Sequence, residues 1–135
     1  MTKISVPDAE LLSRAVQTFM NTNAAPTHLD VPGTLTHVAT TDTDEVVGWC
    51  WGYHLHRPDG TSMLYLHQLE VLEPHRGLGI GRALLTTFMQ SGRTAGATKL
   101  FLTTGTNNHA ARHLYDSLGG GPATQGPTVN YWFLL

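Results

Sequence analysis

Residues Met63–Phe88 read M-L-Y-L-H-Q-L-E-V-L-E-P-H-R-G-L-G-I-G-R-A-L-L-T-T-F. The run Met63–Leu72 is apolar and β-prone, and predicts a strand. Glu73–Gly81 is glycine-rich, and from Ile80 onward Ile80, Ala83, Leu84 and Phe88 recur at helical spacing. A strand that runs through such a loop into a helix sets unpaired backbone N–H groups and a partial positive charge at the loop. Glycines let the backbone come close to an anion and tolerate positive φ. The segment therefore predicts a pyrophosphate cradle, with Arg76 and Arg82 adding charge-assisted hydrogen bonds.

The chain upstream predicts a short strand over residues 2–6 and a helix opened by Pro7 and Asp8. Leu12, Ala15, Val16, Phe19 and Met20 make that helix's apolar face. Asn21–Gly33 reads as a loop with a short helical turn. Thr34–Thr40 and Val46–Leu55 read as a hairpin around the polar turn Asp42–Asp44. In the second strand Val47, Trp49, Trp51, Tyr53 and Leu55 share one face, and Gly48, Cys50 and Gly52 the other. Downstream, Gly92 and Gly96 are expected to close the loop's helix. A strand at Lys99–Thr104, a helix at Asn107–Leu118 with Ala111, Leu114, Tyr115 and Leu118 on one face, and a closing strand at Val129–Leu135 follow. No internal repeat or low-complexity segment splits the chain. The expectation is one α/β (α+β) domain over residues 1–135. Its central mixed, mostly antiparallel sheet is flanked by helices and ends in a β-loop-α-β-α-β half.

Composition narrows the function. The chain is 41% hydrophobic and 13% charged, enough to bury a core. A net charge of −2 with dispersed basic residues argues against nucleic acid or an anionic membrane as partner. Cys50 is the sole cysteine, so neither an intrachain disulfide nor a cysteine-based metal site can form. There is no apolar signal region and no span-length apolar run, so a cytoplasmic location is the expectation.

The loop spacing excludes two common phosphate motifs. G-x-G-x-G at Gly77–Gly81 misplaces the third glycine of the dinucleotide fingerprint, and the Walker pattern is absent. R-x-x-G-x-G after a strand ending L-E-V resembles the GNAT superfamily of acetyl-CoA-dependent N-acyltransferases. A second motif agrees: Asn108, Ala111, Tyr115 and Gly119 fit the family's N-x-x-A-x-x-x-Y-x-x-x-G helix, with Gly120 where an aromatic residue is usual. The resemblance implies acetyl-CoA as co-substrate and no metal. The coenzyme would be held by Arg76, Gly77, Leu78, Gly79, Ile80, Gly81, Arg82 and Asn108. The pantetheine arm would pair with backbone around Leu69–Leu72, and an N–H near Val71 would face the thioester oxygen. Tyr115 would lie near the thioester sulfur and protonate the leaving thiolate.

Acetyl transfer to a primary amine needs a neutral amine and therefore a proton acceptor. His67 and Glu70, on the strand before the loop, are the candidates. Within the superfamily the chain looks closest to the aminoglycoside 3-N-acetyltransferases of GNAT type, whose polycationic acceptors call for acidic surroundings. Asp30, Asp42, Asp44, Glu45, Asp59, Glu70 and Glu73 lie in the half that usually forms the acceptor side, while Gln68 departs from an acidic residue common there. Protein N-termini, polyamines and small amines remain open as acceptors, as does a non-catalytic acyl-CoA-binding module, and a homodimer fits the family. From another class, Gly48 followed by His54 and His56 matches the start of a cupin metal motif. The glutamate that motif needs is missing from residues 57–63.

Overall fold

The computed structural model describes residues 1–25 and 27–135. They fall into two compact units, Met1–Thr103 and Thr104–Leu135.

The first unit is a five-stranded sheet in the order β1-β2-β3-β4-β5, formed by Thr2–Ser5, Thr34–Thr41, Val46–His56, Ser62–Val71 and Leu100–Phe101. The first three pairings are antiparallel and β4 pairs with β5 in parallel. Helix α1 (Ala9–Met20) opens on Asp8, whose carboxylate accepts from the Leu11 N–H at 2.8 Å, and ends on Asn21 in the left-handed region. Its Leu12, Ala15 and Val16 pack with Val38, Val46 and Trp49, and Phe19 stacks on Trp49 at 5.3 Å. Met20 stays largely exposed. The short turn anticipated in the following loop is a 3-10 helix at His28–Asp30.

Helix α2 (Ile80–Thr94) covers the other sheet face with Ile80, Leu84, Leu85 and Phe88. Leu85 takes the place expected for Ala83, which is exposed. Small residues set how closely α2 lies. A Cβ on Gly48 would press on Ile80 and Leu84, one on Gly52 would overlap the Tyr65 carbonyl, and one on Gly92 would overlap the Leu64 side chain. Gly92 therefore does not end the helix. It sits buried inside it as a packing glycine, and termination falls to Gly96 at φ 99°.

The second unit contains α3 (His109–Ser117), with Ala111, Leu114, Tyr115 and Leu118 the least exposed residues along that segment, as the periodicity predicts. Two expectations change here. The Lys99–Thr104 strand shortens to Leu100–Phe101, and Val129–Leu135 forms no strand. A strand exists only where an edge pairs with it, and none of the described strands pairs with these residues. Tyr131, Trp132 and Phe133 stand exposed. No helix among the described residues is long and apolar enough to cross a membrane.

Beneath α2, His37 is 3% exposed, with its Nε2 3.1 Å from the Ser91 hydroxyl and no partner for Nδ1 among the described residues. Burial lowers its pKa below the ordinary 6.5. An unfolded chain takes up this proton first as the pH falls, so the folded state loses stability from about pH 6.5 downward until the native His37 also protonates. Thermal unfolding across pH 8 to 5 should show this decline, and the His37→Gln variant should show a shallower one. Gly52→Ala should destabilise the fold by about 1–3 kcal/mol through overpacking, read by denaturant unfolding.

Candidate active site

The segment read as a cradle is the connection from β4 to α2. The strand ends at Val71, a 3-10 turn spans Glu73–His75, and α2 starts at Ile80. Gly77 and Gly79 adopt φ of 76° and 85°, where side chains are strained. A Cβ at either would meet nothing, so the backbone there is open to approach. Gly79 is also the N-cap of α2 and provides no side-chain acceptor for the first-turn N–H groups. Open backbone and an uncapped helix start fit a pyrophosphate. Arg76, exposed, donates from Nε to the Val71 carbonyl at 2.8 Å and ties the loop back to the strand end. Leu78 is exposed and Ile80 is buried in the core, so Ile80 offers the loop only its backbone. Gly81 and Arg82 occupy the first turn of α2.

The outer edge of β4 is open beside this loop. β5 pairs with it only at Leu64 and Tyr65, so no described strand lies along Leu66–Val71 on that side. An extended ligand arm can add to such an edge as a strand does. Leu69 and Val71 pair with Cys50 and Gly48 and share their α2-facing side.

A bulge brings the two candidate bases together. Trp51 faces Gln68, yet Gly52 faces Leu66, which leaves His67 as the extra residue of β4. The alternation is reset, so Tyr65, Gln68 and Glu70 all share the face of Trp49, Trp51 and Tyr53. His67 joins them by stacking on Trp51 at 4.4 Å. Trp51 Nε1 donates to Gln68 Oε1 at 2.9 Å, and Gln68 Nε2 donates to Glu70 Oε2 at 2.9 Å. Glu70 is thus aimed by a neighbour, half-buried, while His67 is exposed. Sequence reasoning did not find the bulge or the Trp51–Gln68 bond. Two successive polar residues, His67 and Gln68, in an alternating strand were its trace.

Other candidates divide clearly. The acidic turn at Asp42–Glu45 is an ordinary solvated turn held in exposed ion pairs, Asp44 with Arg14 at 3.2 Å and Glu45 with His75 at 4.0 Å. Cys50 is buried, and burial pushes its thiol up to about 12, so it provides no thiolate near neutral pH. His54 lies 2.8 Å from the Ser62 hydroxyl and 4.7 Å, ring to ring, from His56. No group of three metal-ligating residues exists among the described residues. In the second unit, Asn108 caps α3 by accepting from the Ala111 N–H at 3.2 Å, and burial raises the pKa of the Tyr115 phenol.

Residues 9–119 match the acetyltransferase (GNAT) family. The chain belongs to this family. It is 30% identical over 112 residues, 83% of this chain and 69% of the relative, to the uncharacterized N-acetyltransferase YycN of Bacillus subtilis. It is 36% identical to rat N-acetyltransferase 8F1 over 78 residues, 58% of this chain, and spans only 35% of that protein. An aminoglycoside acetyltransferase, HMB0005, from an uncultured soil metagenomic sample has the same fold, with a TM-score of 0.82 at 19% identity over 100% of this chain and 99% of that one. The α+β sheet with its glycine loop is thus the GNAT fold, and the family's co-substrate is acetyl-CoA.

Gly79→Asp should abolish measurable acetyl-CoA binding by calorimetry while far-UV circular dichroism stays native. On the cradle reading, the added carboxylate would repel the coenzyme phosphates at the helix start. Unchanged affinity would remove the cradle assignment.

Proposed function

We propose that this GNAT chain moves an acetyl group from acetyl-CoA to a primary amine. The observation that carries the reading is the uncapped, glycine-opened start of α2 at the end of a strand whose bulge gathers two proton acceptors on one face. Arg76, Gly77–Gly81 and Arg82 hold the pyrophosphate. The open β4 edge around Leu69 and Val71 takes the pantetheine arm.

An alkylammonium must lose a proton before its nitrogen can attack. Glu70, aimed by Gln68, takes that proton directly or through water, and exposed His67 is the alternative acceptor. The amine nitrogen then bonds to the acetyl carbon, the carbon–sulfur bond breaks, and the departing thiolate takes a proton from Tyr115. A tyrosine phenol is protonated at neutral pH, as an acid must be, and burial of Tyr115 raises its pKa further. Asn108 completes the coenzyme contacts by its place in the family motif.

The narrower reading is an aminoglycoside acceptor acetylated on its 3-amino group. Its support is the close fold similarity to the soil aminoglycoside acetyltransferase and the half-buried Glu70 on the acceptor face.

A thiol-release assay with acetyl-CoA decides between acceptors. Aminoglycosides with a free 3-amino group should release coenzyme A rapidly, and those lacking it should not. Release only with polyamines or peptide N-termini would keep the acetyl transfer and discard the antibiotic. Coenzyme binding with no release on any amine would point to a sensing module. Tyr115→Phe should lower turnover roughly 100-fold or more with little change in acetyl-CoA affinity. Equal turnover would exclude the acid role.

A further inference from the structure

Two histidines stand apart from the transfer chemistry. His54 and His56 lie two positions apart on β3, so their side chains leave the same face of the strand. Their ring centres are 4.7 Å apart, with the planes inclined at 54°. The chain holds eight histidines, yet this is the one ring contact between two of them among the described residues. At that inclination the rings do not stack, so stacking does not explain why they meet.

Their separation matches a shared metal. With a metal–nitrogen bond of about 2.1 Å, a ligating imidazole holds its ring centre about 3.2 Å from the metal. Two such rings on one metal, at the roughly 90–110° of square or tetrahedral sites, stand about 4.5–5.2 Å apart. A supporting hydrogen bond is also in place. His54 Nε2 lies 2.8 Å from the hydroxyl of Ser62, a buried residue on the facing strand. A histidine that donates one ring N–H to a neighbour keeps the lone pair of its other nitrogen for a metal and holds its ring at a fixed angle. Ser62 is itself anchored, its carbonyl accepting from the Thr98 N–H at 3.1 Å. The His56 ring is exposed and makes no hydrogen bond or ion pair among the described residues. Arg57, next along the chain, reaches the Asp59 carboxylate at 4.0 Å, which offsets the adjacent positive charge.

The pair is remote from the glycine loop. Gly48, the register partner of Val71 at the end of β4, precedes His54 by roughly 20 Å of extended strand. A ligand held here is separate from the coenzyme and from the amine beside Glu70.

We propose that His54 and His56 form a surface chelate for one divalent metal ion of the imidazole-preferring class, Zn²⁺, Ni²⁺ or Cu²⁺, with water filling the remaining positions. Two neutral imidazoles suit these ions, whereas Mg²⁺ and Ca²⁺ select oxygen ligands. A structural zinc site has four protein ligands and a catalytic one three, and no such group exists among the described residues. The metal therefore exchanges with solvent and follows its free concentration. It takes no part in acetyl transfer, and the site stands whether or not the transfer reading does.

The test titrates the full chain, without an affinity tag, with ZnCl₂ under calorimetry, and uses MgCl₂ as the hard-ion control. Ring ¹H–¹⁵N spectra identify the histidines that respond. One equivalent of Zn²⁺ should bind and move the His54 and His56 ring signals first, while Mg²⁺ should give no heat. His54→Ala and His56→Ala should each weaken Zn²⁺ at least about 10-fold. His109→Ala, which breaks up the pair His109 and His113 four apart on α3, should bind Zn²⁺ as wild type does. Circular dichroism of the metal-free variants, expected native, separates lost ligation from lost folding. If His54→Ala unfolds, His56→Ala at its exposed position decides alone. No Zn²⁺ binding by wild type, unchanged affinity in the His56 variant, a loss in His109→Ala equal to that in His56→Ala, or equal affinity for Mg²⁺ would each overturn the site.

Discussion

Helix α2 can lie on the sheet only because three glycines clear its path. Gly48 and Gly52 on β3 and Gly92 on the helix leave room where any side chain would press on Ile80, Phe88 or Leu64. Close-packed interiors do not absorb such volume without shifting backbone. The seating of α2 fixes where its first turn, with its N–H groups that no side chain caps, points. The loop glycines Gly77 and Gly79 make that turn accessible, but the packing glycines make it stay in place. Both sets lie on α2, its leading loop and the strand beneath it, so the open helix start and the core share a single geometric constraint.

The bulge at His67 is the second constraint. Without it, strict alternation would turn either His67 or Gln68 away from Trp51, and Glu70 would share a face with Gly48 and Cys50 under α2. A carboxylate there would be buried against Ile80 and Leu84 with no partner, a costly arrangement. One extra residue avoids this and also bends the strand. The short β5, which pairs only at Leu64 and Tyr65, leaves the bent portion with an open edge.

Much of this was legible in the sequence, and the failures share a cause. The glycine loop, the helical faces of α1 and α3 and the hairpin of β2 and β3 follow from local pattern, because each depends on residues a few positions apart. Gly92 has the sequence position of a terminator, since glycine near a helix end usually is one, yet it lies inside α2. Its true neighbour, Leu64, is distant in sequence. Val129–Leu135 has strand-forming residues, but composition says only that a segment suits a strand, not that an edge is there to receive it. The bulge, the Trp51–Gln68 bond and the Tyr65–Phe101 stack all lie between strands. Pairing register, which one-dimensional periodicity does not contain, decides each of them.

Register also explains how Glu70, though close to the loop, is held on the face of Trp49 and Trp51. Its carboxylate is oriented by Gln68, and Gln68 is oriented by the indole of Trp51, so three side chains from two strands act as one unit. A glutamate at position 68 would place two carboxylates side by side, and their repulsion would raise one pKa at the expense of the other's ionisation. Glutamine instead donates to one partner and accepts from the other, a role no carboxylate can fill. The amide at position 68 is thus coupled to Trp51. An indole that must donate, an amide that relays and a carboxylate that accepts form a consistent set, and changing any one of them leaves the others unsatisfied.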